Sequence, residues 1–324
     1  MGEALAGERI GKKAMIVGLV AHSIPDIDFV AALWLNTADN LHAHRGFTHS
    51  ILFVLLISLL MAAIAKIIFK RKDFSYRRWF IIILLITGLH IFLDAFNNYG
   101  VGWFEPFSSQ RISFNSIYVA DPFFSIVPGV AAVMLLFLKK QSAFVKFWWK
   151  LGLGWCALYI GYCVINKITI DKKVKRSIIS QAIPAKRFMT TPAPLQNWLW
   201  FVAAETDSGF YTGYVSVFDR KENITFSFSS KNKNLLNQVI DREEADKLVQ
   251  FSQGYYTIEK HADTILLNDL RFGQITGWYD PTERFAFYYY LQPEVDNTLV
   301  VQRGRFANWN RTTFQSFLKR IKGN

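Results

Sequence analysis

The chain has 324 residues with 51% hydrophobic and 19% charged side chains, a composition that excludes a disordered or low-complexity protein. Its two cysteines exclude a disulfide scaffold and a cysteine-rich zinc module. The formal net charge of +12 is unevenly spread, since residues 1–176 carry +10 and residues 177–324 carry +2. Five of the six histidines also lie in the first 90 residues, so the two halves are expected to differ in structure.

Apolar runs separated by lysine and arginine follow one another through the first half. They cover residues 14–35, 50–69, 79–93, 122–138 and 151–166. A single run of this length could be the buried helix of a soluble core, because a membrane-spanning helix needs about 20 apolar residues. Their repetition favours an α-helical membrane bundle of about four to five apolar helices over a soluble helical core.

Basic clusters predict the orientation of this bundle, because cytoplasmic loops are enriched in lysine and arginine. The clusters lie at residues 12–13, 66–78 and 139–146. Alternating spans then place the loops 36–49 and 94–121 together on the outer side. The chain after residue 166 is also predicted to lie outside, although the basic residues at 172–176 argue against this last step.

The second half has the composition of a small β-rich domain that is too polar to span lipid. Short aromatic or β-branched segments predict strands at 198–204, 210–218, 224–228, 255–259, 264–267 and 285–291. Helices are predicted at 241–252 and 309–321, and the chain is expected to enter the domain at 190–194, where Pro192 and Pro194 lie. We therefore predict a membrane-embedded domain over 1–170 and a β-rich α+β extramembrane domain over 171–324.

The segment from His44 to Ser50 reads His-Arg-Gly-Phe-Thr-His-Ser and begins an apolar run. Two imidazoles and a guanidinium are costly in this position unless they have a function. Neutral imidazole is a common ligand of divalent transition metals. His44 and His49 are five residues apart and do not share a helical face, so His44 is expected to come from the loop. The alternative is that both are interfacial loop residues.

Two further clusters are predicted to lie on the same side of the bundle. His90 and Asp94 are four residues apart and share one helical face. Asp26 and Asp28 follow Pro25 inside an apolar run, where carboxylates are unfavourable. His90 could instead be a hydrogen-bonded core residue, and the aspartates could cap a broken helix. The convergence of three clusters at one side favours a metal site.

A set of motifs in a fixed order extends this pattern over residues 1–140. They are Gly2-Glu3-Ala4, Gly11-Lys12-Lys13-Ala14, Pro25-Asp26-Ile27-Asp28, the segment His44–Ser50, His90-x-x-x-Asp94, Pro106-Phe107-Ser108 and Asp121-Pro122. The ordered set resembles the YdjM-type family of membrane-bound metal-dependent hydrolases. That family is distantly similar to zinc-dependent phospholipase C and P1-type nucleases. The resemblance therefore implies zinc and a bacterial inner-membrane location.

Members of this family usually begin with a further apolar segment that carries an Asp-x-x-Thr-His motif. This sequence opens at Met1-Gly2-Glu3-Ala4. The resemblance therefore leads us to expect either a start further upstream or a site that lacks one helix and one histidine ligand.

These observations predict a multi-pass membrane hydrolase in which a divalent metal, expected to be zinc, activates a water against a phosphoester or lipid-linked substrate. The predicted metal ligands are Asp26, Asp28, His44, His49, His90 and Asp94. Arg45 and Asp28 are the predicted catalytic residues, with Arg45 holding an anionic group or developing charge. Membrane lipids are the expected partners, and nucleic acid is not, because the basic clusters lie between apolar runs. The alternatives are an intramembrane metal or proton transporter and a non-catalytic anchor for the β-rich domain.

Overall fold

A computed structural model describes residues 1–70, 74–261, 264–291, 306 and 309–324. Two compact units divide the chain, one built from helices and the other mainly from strands. The helical unit comprises Met1–Leu33, Ala43–Phe114 and Ala120–Tyr162, and the β-rich unit comprises Trp34–His42, Asn115–Val119 and Cys163–Asn324.

The first half of the chain is helical. Its α-helices are α1 (Gly2–Ile10), α2 (Lys13–Ser23), α3 (Thr37–Ala43), α4 (Ile51–Phe69), α5 (Tyr76–Asp94), α6 (Pro122–Phe137) and α7 (Phe144–Ser180), with 3-10 helices at Pro25–Leu33 and Phe47–His49. Three of them, α4, α5 and α7, are long and apolar enough to cross a membrane. Helix α2 and the 3-10 helix after it, bent by 52°, form a fourth apolar span if they are taken together. The predicted helical membrane part is confirmed.

Polar side chains define where these helices begin. Ser50 accepts a hydrogen bond from the Phe53 backbone N–H at 3.0 Å and thereby caps α4. Asp121 caps α6 in the same way and is followed by proline at the first helical position, which needs no intrahelical donor. The caps satisfy backbone groups that would otherwise be unpaired, so each apolar helix starts at a defined residue.

The β-rich unit contains two antiparallel sheets. The four-stranded sheet has the order β1-β2-β3-β4, with β1 (Arg187–Pro192), β2 (Leu199–Glu205), β3 (Gly209–Ser216) and β4 (Phe226–Ser230). The three-stranded sheet has the order β5-β6-β7, with β5 (Tyr256–His261), β6 (Thr264–Gln274) and β7 (Phe285–Leu291). Helices α8 (Arg242–Phe251) and α9 (Arg311–Ile321) and a 3-10 helix at Lys233–Gln238 complete the described elements. The six predicted strands and both predicted helices are present.

The predicted entry into the β-rich domain at 190–194 was wrong, because Thr190 to Pro192 already form the end of β1. This strand lies at the edge of its sheet, where proline is tolerated because no neighbour needs its missing N–H.

The last part of α7 also extends beyond the predicted apolar run. Ile170, Val174 and Ile178 recur every four residues and are buried in one cluster with Trp200 and Val202 of β2. A single face of this helix segment therefore covers one side of the four-stranded sheet.

Candidate metal centre

The centre lies where the ends of several helices of the helical unit come together. Helix α2 ends at Ser23 and Pro25 opens the 3-10 helix, so Asp26 lies directly after the bend. His49 is the last residue of the 3-10 helix that precedes α4. The next residue, Ser50, caps α4 and thereby fixes where His49 lies relative to that helix. A hydrogen bond from Thr87 Oγ1 in α5 to the Ala21 carbonyl, 3.1 Å long, ties α5 to α2.

The structure brings four of the six predicted ligands together as one group, Asp26, His49, His90 and Asp94. His49 Nε2 lies 3.3 Å from His90 Nε2, 3.5 Å from Asp26 Oδ1 and 3.4 Å from Asp94 Oδ2. His90 Nε2 lies 3.4 Å from the same Asp26 oxygen and 3.5 Å from the same Asp94 oxygen. One ligand atom of each side chain therefore faces a common centre.

These spacings fit a small tetrahedral metal ion. Zinc binds nitrogen and carboxylate oxygen at about 2.0–2.2 Å, and ligands at the corners of such a tetrahedron lie about 3.3–3.5 Å apart. The donor set of two imidazoles and two carboxylates suits zinc and other first-row divalent metals. These four residues could hold a metal ion, and the five separations given above match those that it requires.

The electrostatics of His49 support cation binding. Burial lowers the pKa of this imidazole, but hydrogen bonds to the three surrounding carboxylates outweigh burial and raise the pKa to about 10. The carboxylates therefore favour positive charge at the centre, whether it comes from a proton or from a metal.

Asp28 lies behind the group of four and contacts the other nitrogen of a ligand. Its Oδ2 is 3.3 Å from His49 Nδ1 and accepts a hydrogen bond from the Arg45 backbone N–H at 2.7 Å. A carboxylate on the far nitrogen of a ligand histidine fixes the ring and its tautomer. The structure thus gives Asp28 a positioning contact to His49.

His44 also lies outside the group of four. Its Nδ1 is 3.3 Å from Asp28 Oδ1, and its side chain is partly exposed. His44 contacts Asp28, which in turn contacts His49. Of the two histidines in the His44–Ser50 segment, His49 therefore belongs to the group of four, and His44 contacts that group only through Asp28. The assignment of Asp28 and His44 as metal ligands stays a prediction.

Arg45 occupies a strained position beside the centre. Its φ of 58° is in the left-handed region, which non-glycine residues rarely adopt. Both of its backbone groups are held, the N–H by Asp28 and the carbonyl by the Gly102 N–H at 2.8 Å. The Arg45 Nε is 3.3 Å from Asp94 Oδ2, and the guanidinium carbon lies 5.3 Å from the Tyr99 ring centre.

The guanidinium of Arg45 also has unused hydrogen-bonding capacity. Its Nε and Nη1 are buried and have no hydrogen-bond acceptor among the residues that the structure describes. Buried donors without a partner are uncommon and unfavourable, and a bound anion would supply the missing acceptors. Such an anion would lie next to the four ligand atoms.

Sequence reasoning did not foresee two contacts of the centre. It did not anticipate Tyr99 under Arg45, for which the sequence contains no spacing signal. His22 was not among the predicted ligands, and its ring packs edge-on against His90 with centroids 4.7 Å apart. Its position four residues before Asp26 was the available signal.

Apolar helices that enclose two imidazoles and two carboxylates define a membrane protein with a cluster that could hold a metal ion. Residues 1–169, more than half of the chain, match the family of the YdjM inner membrane protein, and the chain belongs to this family. The resemblance drawn from the motifs is thereby confirmed.

Two curated relatives support the same assignment. The chain is 30% identical over 202 residues to "Uncharacterized protein YfhP" of Bacillus subtilis (strain 168), across 61% of this chain and 58% of that protein. It is also 30% identical over 113 residues to "Inner membrane protein YbcI" of Escherichia coli (strain K12), across 34% of this chain and 64% of that protein. The chain thus spans less than two thirds of either relative. No solved structure matches it.

Proposed function

We propose that this protein is a membrane-embedded hydrolase that uses a divalent metal, zinc being the expected ion, to cleave an ester of phosphate. One observation carries the proposal. Four ligand atoms spaced for a metal lie directly beside a buried arginine with two unfilled N–H groups. A site that places a cation next to an anion-binding group suits a substrate with an anionic ester.

The reaction adds the oxygen of water to phosphorus and breaks the bond between phosphorus and the leaving alcohol. The two protons of the water end on that alcohol and on the released phosphate or solvent. When bound, the metal would supply a Lewis acid that polarises the ester and makes water acidic near neutral pH.

The residues of the chain have separate tasks in this proposal. Arg45 donates its unfilled N–H groups to the non-bridging phosphate oxygens, where charge builds up in the transition state. Asp28 keeps the His49 ring in the orientation that presents Nε2 to the centre. The left-handed backbone of Arg45 aims its side chain at the same point, and the hydrogen bonds of both its backbone groups hold that conformation.

We also infer that the chain crosses the inner membrane several times, with the β-rich unit on the outer side. The support is the predicted orientation, in which basic clusters at 12–13, 66–78 and 139–146 lie inside. Single cysteines at the exposed positions Tyr279 and Lys139 would test it with a membrane-impermeant thiol reagent on intact spheroplasts. Labelling at 279 and protection at 139 are expected, and the reverse pattern would refute this orientation.

Metal analysis of the detergent-purified full chain tests the catalytic proposal. We expect one or more equivalents of metal in the parent protein and loss of metal and phosphoester hydrolysis in the His49→Ala and Asp94→Ala variants. His261→Ala is the matched control, because His261 lies on β5 and contacts Glu259 at 3.1 Å. Metal at background level in the parent protein would refute the proposal. Stoichiometric metal with ion flux in liposomes and no hydrolysis would replace it with transport.

A further inference from the structure

The loop after α5 presents large apolar side chains to the exterior beside the candidate centre. Phe107 is 84% exposed and Phe104 is 47% exposed. Glu105, between them, is partly exposed, and its Oε1 occupies the space that a Cβ at Gly102 would need. Partial burial raises the pKa of this carboxyl. The tip of the loop therefore exposes two phenylalanines, while its carboxyl is partly buried.

Hydrogen bonds hold this loop against the segment that carries Arg45. The Gly102 N–H donates to the Arg45 carbonyl, and the Ile51 N–H donates to the Trp103 carbonyl at 3.0 Å. Trp103 in turn donates its indole N–H to the Ile91 carbonyl at 3.1 Å. The two phenylalanines are thus fixed in place relative to the centre, rather than carried by a loose segment.

A second apolar wall adjoins the most accessible member of the centre. The Asp26 side chain is 52% exposed, whereas those of His49, His90 and Asp94 are largely or fully buried. The next residues of the same 3-10 helix, Ile27 and Phe29, are 56% and 71% exposed. A substrate that reaches the centre at Asp26 therefore passes apolar side chains.

Patches of exposed large apolar residues in soluble proteins mark interaction surfaces. Here the loop adjoins α4, because the Ile51 N–H donates to the carbonyl of Trp103, the residue before Phe104. Ile51 and Leu55 are also exposed and belong to a helix long and apolar enough to cross a membrane. This continuity identifies the bilayer, rather than a protein partner, as the occupant. Aromatic residues at such a boundary lie at the level of the lipid headgroups.

We propose that Ile27, Phe29, Phe104 and Phe107 form an apolar lip that inserts into the membrane surface and admits a phosphate-bearing lipid to the centre. Arg45 then takes the phosphate, and the lip contacts the hydrocarbon next to it. This substrate class rests on the proposed hydrolase function. The position of the lip in the membrane does not depend on it.

A depth measurement tests the lip without any need for catalysis. A nitroxide is attached to Phe107→Cys in a Cys156→Ser background, where the remaining Cys163 is fully buried. The full chain is reconstituted in vesicles of phosphatidylethanolamine and phosphatidylglycerol. We expect the label to meet oxygen more readily than a water-soluble nickel chelate. Tyr279→Cys, at an exposed position of the β-rich unit, is the control and should show the opposite preference. Equal chelate access at 107 and 279 would overturn the proposal.

Paired substrates test the lipid specificity. The ratio of hydrolysis of phosphatidylglycerol to that of soluble bis(4-nitrophenyl) phosphate should fall about tenfold in Phe104→Ser/Phe107→Ser, because two apolar contacts to the lipid are lost. Phe137→Ser changes an equally exposed phenylalanine at the end of α6 and should leave the ratio unchanged. An unchanged ratio in the double variant would overturn the substrate class. Absence of hydrolysis of both substrates by the metal-loaded parent would refute the proposed function, and the depth measurement then judges the lip alone.

Discussion

Each half of the molecule contains a pair of arginine and aspartate that is shielded from solvent, fully in one half and partly in the other, and the two pairs are built differently. In the β-rich unit, Arg271 donates from Nε to Asp269 Oδ1 at 3.0 Å and from Nη2 to Oδ2 at 2.6 Å. In the helical unit, Arg45 Nε lies 3.3 Å from Asp94 Oδ2, outside good hydrogen-bond geometry. The first pair is a two-point interaction, and the second leaves the guanidinium only partly used.

The difference separates a structural ion pair from one that is available to a ligand. Arg271 and Asp269 are 2% and 0% exposed, so water does not solvate their charges and each charge is compensated by the other. Asp94 shares its oxygen with two imidazoles and one guanidinium, which matches a metal ligand better than a partner of Arg45 alone. The Arg45–Asp94 pair, called the open pair below, belongs to the proposed site. The Arg271–Asp269 pair, called the closed pair, belongs to the core of the β-rich unit.

The closed pair should show the largest effect on stability. Asp269→Ala leaves the Arg271 charge buried without its carboxylate, and we expect it to destabilise the β-rich unit by about 3–5 kcal/mol. Hydrogen exchange of the β6 peptide in the full chain measures this loss. Metal content should stay at the parent level. A metal loss equal to that of Asp94→Ala would show that the two pairs are not independent.

The open pair should affect catalysis rather than folding. Arg45→Asn removes the guanidinium but accepts the left-handed backbone better than most residues and keeps the N–H that Asp28 accepts. We expect phosphoester hydrolysis to fall by about 10²–10³-fold, as for the loss of one transition-state hydrogen-bond donor. Metal content and β6 exchange serve as controls and should match the parent. Full activity of this variant would exclude Arg45 from the reaction.

Sequence patterns predicted the elements whose signal is local. The run of aromatic residues from Phe285 to Tyr290 predicted β7 with its observed bounds, and the charged first turn predicted α8. The spacing of His90 and Asp94 placed both on one face, and the structure puts both in the same cluster. These features depend on residues within one or two turns of each other.

Features that depend on tertiary contacts were not predictable in this way. The last part of α7 contains many lysines, and its apolar face matters only because a sheet covers it. The predicted entry point at Pro192 failed because the position of β1 at a sheet edge, where proline is tolerated, is a property of the whole sheet. The contact of Asp28 with His49 Nδ1 required the backbone turn at Arg45, which no spacing rule describes.

The carboxylate behind His49 should have a smaller effect than a ligand. Asp28→Asn keeps the size of the side chain and removes its charge, so His49 loses the partner that fixes its ring. Changes of this kind typically weaken metal affinity by about 10–100-fold. Competition with a chromogenic chelator measures the affinity. His44→Gln, which changes the exposed neighbour on the other Asp28 oxygen, is the matched control and should weaken it less. An unchanged affinity in Asp28→Asn would contradict the positioning role.

The smallest effects on stability are expected from the removal of two helix caps, one in each unit. Each removal deletes a single capping hydrogen bond. Asp241 accepts from the Glu244 N–H at 2.9 Å and caps α8, and Ser50 accepts from the Phe53 N–H and caps α4. Removal of either acceptor by alanine should cost about 1 kcal/mol.

The two cap variants should differ in where that cost appears. In Asp241→Ala it should speed hydrogen exchange of the α8 peptide without a change in metal affinity, and Asp241→Asn should restore parent behaviour. In Ser50→Ala the lost cap is next to His49, so part of the free-energy cost should be seen in metal binding. Metal affinity should then weaken by up to about fivefold. Equal metal affinity in Ser50→Ala and the parent would mean that the start of α4 does not position His49, and that the contacts of its Nδ1 with Asp28 and Thr48 hold this ligand.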